Sequence, residues 1–359
     1  MSYKSLDLMA SVKSLLNIGS GLFLWMVLWS LYQNFDWFWR VLLKSWFFTL
    51  GLILLICYWE MFTGDHLQGN FLFKLRGFPS YHIIQSVPVA TFDNPNYLSL
   101  YLTLSLAFVF YFKKFLSKEI TLFFTVSSIL IILTTDSKLS LIALFVIVLF
   151  FIIYNRDDIK DWIAKRIRRV IFGGVISVVF LFGVFNSESS SLKIQENTID
   201  LSEYLSRVET GNSYNVRKNL IFNGLYFLEF SNYLGIGPGQ YSVHTSKGLI
   251  KHEVGTVLNP HSLFLELLSE YGIIIFIFFG IILIFLLIKA VLFLKLMPHF
   301  KNHFLYLFLT LLFIYPILSN NNSSFLNYPL NWFILSFIML LHQELVVLKN
   351  EKDSRINNS

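Results

Sequence analysis

Nine long apolar stretches, separated by polar segments of very different lengths, dominate the pattern of hydrophobic and polar positions along the chain. They cover residues 14 to 32, 42 to 62, 96 to 112, 119 to 135, 139 to 154, 170 to 185, 272 to 294, 304 to 319 and 328 to 346. Each approaches the roughly 20 residues that an α-helix needs to cross a bilayer. The stretches lack the alternation of barrel strands, and only helices or closed barrels satisfy backbone polar groups in lipid. The pattern therefore predicts an all-α, polytopic integral membrane protein with about nine transmembrane helices.

The composition supports lipid rather than water as the main solvent of the chain. Hydrophobic residues make up 55% of the 359 positions and charged residues only 14%, unlike ordinary soluble domains. The net charge of +6 does not indicate a nucleic-acid partner, because basic residues in membrane proteins mainly set orientation. The single cysteine, Cys57, has no partner for a disulfide or a structural metal site. We predict one transmembrane domain over residues 1–349 and a disordered cytoplasmic tail over residues 350–359.

Lysine and arginine concentrate in alternate connections between the apolar stretches. The basic clusters lie within residues 113–118, 156–169, 289–301 and 349–355, which we expect to be cytoplasmic. The long polar loop over residues 186–260 then lies on the outer side. An odd number of spans also places the N-terminus outside, although Lys4 and Lys13 would favour the cytoplasm.

Two Asn-Pro motifs precede apolar stretches. Asn94 suits a helix N-cap and Pro95 the first helical position, while the positive end of that helix, with Arg76, could also meet an anionic group. The same Asn-Pro pattern at Asn259-Pro260 predicts His261 in the first turn of a helix that starts on the outer side. An imidazole there could accept a proton or bind a phosphate oxygen, or it could simply cap the helix.

The outer loop carries a glycine-rich turn and two arginines. The turn at residues 235–240 contains Gly237 and Gly239, but it is neither a dinucleotide fingerprint nor a phosphate-binding P-loop. Arg207 and Arg217 could match the geometry of a phosphate or simply be solvated, and Arg217 opens a run predicted as a helix along the membrane surface. No spacing of glutamates or histidines in this loop marks an acid/base pair or a metal site.

A short turn between two spans contains Asp136, Ser137 and Lys138. Ionisable residues are costly at such a position, so they suggest a functional partner, or a local pairing of Asp136 with Lys138.

Taken in chain order, these motifs resemble the O-antigen ligase and surface polysaccharide polymerase family. The resemblance covers residues 76 to 272 and rests on the Asn94-Pro95-Asn96 helix start, the Asp136-Ser137-Lys138 turn, Arg217, the glycine turn and the Pro260-His261 motif. The chain departs from the family in having Lys138 where arginine is usual, and in having fewer spans before the Asn94 helix.

The resemblance implies a GT-C-like, metal-independent glycosyltransferase without a cofactor, acting at the outer face of a bacterial plasma membrane. It would move a glycan from an undecaprenyl diphosphate carrier to a sugar hydroxyl, together with other polysaccharide assembly proteins. His261 and Arg217 are the expected catalytic residues. The residues expected to bind the diphosphate or the glycan are Arg76, Arg207, Lys138, Asn94, Asn96, Gly237, Gly239 and Asn259.

Within this family the chain is predicted to be a polymerase of a capsule, exopolysaccharide or O-antigen-like polymer, and a ligase of finished glycan is the near alternative. A transporter or flippase of lipid-linked sugars would instead favour broken helices and buried ionisable residues over a long outer loop. A noncatalytic assembly partner is the third alternative.

Overall fold

The computed structural model describes residues 6–67, 87–92, 94–135, 137–155, 213–255, 257–296, 302–320, 324, 326 and 328–357. The α-helices in these ranges are α1 (Leu8–Asn34), α2 (Phe38–Thr63), α3 (Pro95–Tyr111), α4 (Lys118–Thr134), α5 (Lys138–Tyr154), α6 (Ser213–Phe230), α7 (Gln240–Ser246), α8 (Leu263–Leu296), α9 (His303–Leu318) and α10 (Pro329–Asn357). A single 3₁₀ turn, Lys113–Phe115, follows α3. No strand occurs within these ranges, which confirms the all-α class for this part of the chain.

Four of the helices are long and apolar enough to cross a bilayer, judged by length and composition. These candidate spans are Leu8–Asn34, Phe38–Thr63, Leu263–Lys295 and Pro329–Glu351. Shorter helices α3, α4, α5 and α9 coincide with four further predicted apolar stretches. The predicted span at residues 170–185 lies outside the described residues, so the count of nine spans stays a prediction.

The start of α3 follows directly from its sequence. The side-chain oxygen of Asn94 accepts a hydrogen bond from the backbone N–H of Asn96 at 2.8 Å, and Pro95 occupies the first turn. Proline costs nothing there because the first N–H groups of a helix have no intrahelical acceptor. The predicted cap is confirmed.

Helices α3 and α9 form the centre of the bundle. Almost every residue of α3 from Leu98 to Val109 is buried, as is most of α9. Some polar groups in this core are paired: the indole N–H of Trp46 donates to Ser105 Oγ at 3.0 Å, and the hydroxyls of Tyr111 and Thr310 lie 2.7 Å apart. Each of these pairs avoids the cost of about 1–3 kcal/mol that an unpaired polar group carries in such a setting.

The bundle has two distinct ends. At one end, the rings of Tyr97 and Tyr328 stack with centroids 4.2 Å apart, and the N–H of Leu263 donates to the carbonyl of Ser319 at 3.2 Å. The starts of α3, α8 and α10 therefore meet the end of α9 here, and we call this the site end. At the opposite end, Tyr32 and Trp39 both donate to the carboxylate of Glu344 at 2.9 Å.

Helix α10 continues further than the sequence suggests. It is helical to Asn357, whereas a disordered tail is predicted from residue 350. The described tail segment is therefore a helical extension of the last span.

Candidate functional site

Residues 213–255 and 257–260 fold into a small unit at the site end, which we call the loop unit. Its apolar core consists of Leu220, Phe227, Ile236, Tyr241 and Val254, together with Leu265 of α8. Burying these side chains fixes α6 and α7 against α8, since apolar burial contributes roughly 25 cal/mol per Å². The described part of the predicted polar loop is thus a packed unit.

The side chain of Asn223 ties α6 to the segment before α8. It donates to the carbonyl of His252 at 2.7 Å and accepts from the N–H groups of Lys251 and His252 at 3.1 and 2.9 Å. Asn223 is fully buried. Three hydrogen bonds to one amide hold the chain that leads to the Asn-Pro-His motif.

Helix α8 is broken at Gly272, whose φ of 81° and ψ of 176° are not helical. The glycine-rich turn supplies hydrogen-bond partners for backbone groups of α8 on both sides of this break. The N–H of Ile236 donates to the carbonyl of Ser269, and the N–H of Gly237 to the carbonyl of Glu270, both at 2.9 Å. In return, the N–H of Ile273 donates to the carbonyl of Tyr233 at 3.0 Å.

Gly235 and Gly272 lie where two backbones touch. Both have positive φ, and a Cβ at Gly235 would collide with the backbone carbonyl of Glu270, while one at Gly272 would collide with the backbone of Leu234. Only glycine meets both requirements. The conformational freedom of the turn therefore serves its docking onto α8.

Glu270 fixes the start of α7 through its side chain. Its carboxylate accepts from the N–H of Gly239 at 2.7 Å and from the N–H of Tyr241 at 2.9 Å. These are N–H groups that a helix start leaves without intrahelical acceptors. The N–H groups of Gly237 and Gly239 are thus engaged by α8, and the predicted ligand contact of these glycines stays a prediction.

His261 lies before α8 and not in its first turn, so that sequence prediction is wrong. The helix starts at Leu263, and the hydroxyl of Ser262 accepts from the N–H of Leu265 at 3.4 Å. Ser262 therefore occupies the capping position that Asn259 was expected to hold. His261 has a φ of 52°, a left-handed conformation that costs about 1–3 kcal/mol in a non-glycine residue and is concentrated at functional sites.

The electrostatic setting of His261 joins it to Arg217. Arg217 is exposed on α6. Burial of the imidazole, and then the positive charge of Arg217, lower the pKa of His261 to about 4. Both effects disfavour the imidazolium. The structure thus brings the two predicted catalytic residues within electrostatic range of each other, with the imidazole neutral at neutral pH.

A cleft of about 460 Å³ opens beside the Asn-Pro-His motif. Its walls come from α1, α7, α8 and the segments around residues 259 and 324. The lining residues are Ala10, Lys13, Ser14, Asn17, Gly239, Ser242, Asn259, Pro260, Glu266, Glu270 and Ser324. Two of the predicted binding residues, Asn259 and Gly239, therefore line this cleft.

The N-terminal turn of α1 closes one wall of the cleft. The side-chain amide of Gln240 donates to the carbonyl of Asp7 and to Ser11 Oγ, both at 2.8 Å, and Ser11 Oγ donates to the carbonyl of Pro238 at 2.9 Å. The start of α1 thus lies on the same side as the loop unit. The sequence predicts that the N-terminus and the long polar loop lie on the same side of the membrane, and this contact agrees with that prediction.

Several predicted residues do not reach this cleft. Lys138 is exposed at the start of α5, where the preceding Ser137 donates to Ser140 Oγ at 3.0 Å. Asn94 and Asn96 form the start of α3 and are not among the lining residues. Arg76, Arg207 and Asp136 lie outside the described residues.

Sequence reasoning did not single out Glu266 and Glu270. They are 2% and 4% exposed and lie one turn apart on α8, so their side chains share a face. The available signal was two glutamates four residues apart in an otherwise apolar stretch, where ionisable residues are costly. In the described part of the chain, no group of three histidine, cysteine, aspartate or glutamate residues could hold a metal ion.

Comparison with known proteins supports the resemblance read from the sequence. Residues 121–280 match the family model described as O-antigen ligase. The matched segment contains Lys138, Arg217, the glycine turn and His261. The comparison with curated proteins gave no match. The apolar helices and this match together indicate a membrane protein.

Proposed function

From the match of residues 121–280 to the O-antigen ligase family model, we propose that the protein is a glycan polymerase of the bacterial plasma membrane. It transfers oligosaccharide repeat units from undecaprenyl diphosphate to a growing surface polysaccharide on the outer face. The observation that carries this proposal is that a neutral, half-buried His261 lies within electrostatic range of the positive charge of Arg217. Transfer of finished glycan to another acceptor uses the same chemistry and is the alternative.

The reaction assigns separate tasks to the two residues. The neutral imidazole of His261 accepts the proton of an acceptor hydroxyl, whose oxygen forms a bond to the anomeric carbon of the donor. The bond between that carbon and the diphosphate oxygen breaks, and the leaving diphosphate takes the electron pair. The guanidinium of Arg217 stabilises this developing charge through its planar pair of donors.

The charge of Arg217 also regulates the base. Without donor, Arg217 contributes to the low pKa of about 4 at His261. A bound diphosphate offsets the positive charge, and a nearby negative charge favours the imidazolium. The pKa of His261 therefore rises when the donor binds, and the imidazole becomes a stronger base at the time when it is needed.

Reconstitution in liposomes with lipid-linked repeat units tests the proposal. Arg217→Ala and His261→Gln are expected to reduce polymer formation by about 100-fold or more, the range found for positioned electrostatic and acid–base groups. Arg217→Lys keeps the charge without the fork and should retain part of the activity. Lys218→Ala, the adjacent exposed cation on α6, and His252→Gln are the matched controls.

The products distinguish the alternatives. A ladder of polymer that keeps its lipid diphosphate supports a polymerase, whereas transfer to a different acceptor supports a ligase. Normal ladders from both Arg217→Ala and His261→Gln would refute the catalytic assignment and favour a noncatalytic assembly partner. Movement of a fluorescent lipid-linked sugar across the bilayer without polymer would favour a flippase.

A further inference from the structure

The cleft beside the Asn-Pro-His motif has a lining suited to hydroxyl groups. Only Ala10, Gly239 and Pro260 among its lining residues lack a polar side chain. A lipid tail would desolvate these polar groups without offering them any hydrogen bond, which is costly. Binding sites for small molecules commonly have volumes of about 300–1,000 Å³, and the cleft of about 460 Å³ falls in this range.

The charges of the cleft also disfavour a diphosphate. The carboxylates of Glu266 and Glu270 face a single lysine, Lys13, among the lining residues. A diphosphate, which carries several negative charges, would meet a single opposite charge there. A sugar ring carries no such charge, and its hydroxyls both donate and accept. Carboxylates accept those donors, while Lys13 and the amide of Asn259 supply donors in return.

The walls of the cleft are fixed by hydrogen bonds. Ser324 donates to Glu266 Oε1 at 2.6 Å, and Glu270 holds the backbone of Gly239 and Tyr241. Held side chains bind a ligand with little loss of conformational entropy. Asn259 and Pro260 immediately precede His261, and successive Cα atoms are about 3.8 Å apart. His261 itself is not among the lining residues, so the cleft adjoins the backbone segment that carries the proposed base.

We infer that this cleft binds a sugar ring through its hydroxyl groups and forms a glycan subsite beside His261, with Glu266 and Ser242 as contact residues. The inference rests on the proposed function, which supplies the reaction that this subsite would serve. The ring belongs either to the end of the acceptor chain or to the first unit of the donor. Both present the same hydroxyl chemistry, and kinetic measurements distinguish them.

A steric block in the full-length protein tests the subsite. Ser242 of α7 lines the cleft, whereas Ser246 on the same helix does not. Ser242→Trp should therefore fill the cleft, and Ser246→Trp is the matched control. The probes are the repeat-unit oligosaccharide released from its carrier by mild acid, and farnesyl diphosphate, which contains no sugar.

Ser242→Trp is expected to weaken binding of the released oligosaccharide at least tenfold and to leave farnesyl diphosphate binding unchanged. Ser246→Trp should bind both probes like the wild type. An unchanged oligosaccharide affinity in folded Ser242→Trp overturns the inference. A selective loss of farnesyl diphosphate binding also overturns it, because the cleft would then hold the diphosphate.

Glu266→Gln provides the second test if the tryptophan disturbs folding. It keeps the size of the side chain and removes the charge. A tenfold loss of oligosaccharide affinity at an unchanged unfolding temperature supports the subsite, and unchanged affinity refutes it. In the polymerisation assay, a raised KM for the acceptor identifies the ring as the acceptor's, and a raised KM for the donor identifies it as the donor's.

The subsite and the proposed function can fail separately. Arg217→Ala should abolish polymer formation while it leaves binding of the released oligosaccharide intact. If Arg217→Ala and His261→Gln polymerise normally, the proposed function fails, whatever the binding data show. If these variants are inactive but Ser242→Trp binds and polymerises normally, the function stands and only the subsite is refuted.

Discussion

The segment over residues 259–261 borders an arginine on one side and two glutamates on the other, and these are built into the fold in different ways. On one side, Arg217 projects from the exposed surface of α6 and acts on His261. On the other, Glu266 and Glu270 are 2% and 4% exposed and hold neighbouring segments by hydrogen bonds. Because of this difference in exposure, the two groups have to be tested in different ways. A surface arginine can be replaced with little effect on folding, whereas a buried carboxylate changes stability and binding together.

The largest effect is expected from a substitution that disturbs both the arginine side and the glutamate side of this segment at once. Gly235→Val adds a side chain where the backbone has positive φ and touches the carbonyl of Glu270. Undocking the glycine turn displaces α6 and α7 together, so we expect a loss of about 3 kcal/mol or more in unfolding free energy. Thermal unfolding in detergent and binding of both probes measure this effect.

Gly280→Val is the matched control for Gly235→Val. Gly280 lies on α8 with no atom within 4 Å of an added Cβ, so its substitution should leave unfolding near that of the wild type. If Gly235→Val unfolded like Gly280→Val, docking of the glycine turn would not maintain the site.

The second-largest effect is expected on the side of Glu266 and Glu270, which we call the carboxylate side. Glu270→Ala leaves the N–H groups of Gly239 and Tyr241 without their acceptor, and each unsatisfied group costs about 1–3 kcal/mol. We expect a loss of about 2–4 kcal/mol, measured by thermal unfolding, together with weaker oligosaccharide binding. Glu229→Ala, at an exposed position on α6, should change neither. Equal unfolding temperatures for the two variants would contradict the capping role of Glu270.

A third effect concerns the arginine side and depends on pH. The pKa of His261 is about 4 in the folded protein, below the value of about 6.5 in an unfolded chain. The unfolded state therefore binds more protons between these values, and stability should fall as the pH drops from about 6.5 to 4. The contribution of His261 to this fall is about 1–3 kcal/mol.

Arg217→Gln should reduce this acid sensitivity, because removing the positive charge raises the pKa of His261 towards its ordinary value. His261→Gln should remove the contribution altogether, and His252→Gln should leave it unchanged. Unfolding temperatures measured between pH 7 and pH 4.5 test this comparison. Identical pH profiles for the wild type and Arg217→Gln would refute the electrostatic effect of Arg217 on His261.

The sequence predicts helices where the physical signal is local. Apolar stretches predict α1 to α5, α9 and α10 because lipid-facing helices need length and composition more than specific contacts. The cap at Asn94 is local too, since its partner is two residues away. His261 was misplaced because Ser262, an equally good capping residue, starts α8.

The architecture of the site depends on contacts that no local pattern encodes. The carboxylate of Glu270 meets the N–H of Gly239 across 31 residues of sequence, and Gln240 meets Asp7 across 233. The glycine turn could be recognised as a turn, but the break at Gly272 that receives it could not. For the same reason the family resemblance identified Arg217 and His261, while the cleft lined by Lys13 and Glu266 emerged only from the three-dimensional structure.

The smallest expected effect tests the link between the two sides. The hydroxyl of Tyr241, on the carboxylate side, donates to the carbonyl of Leu220 on α6 at 2.7 Å, one turn from Arg217. Tyr241→Phe removes this bond but keeps the ring in the core of the loop unit, so unfolding free energy should fall by about 1 kcal/mol. Tyr226→Phe, at a half-buried ring on α6, is the control. A shift in the pH profile of Tyr241→Phe towards that of Arg217→Gln would show that this hydrogen bond helps to hold Arg217 near His261, and a stability loss without that shift would mean that the two sides are joined only through the apolar core.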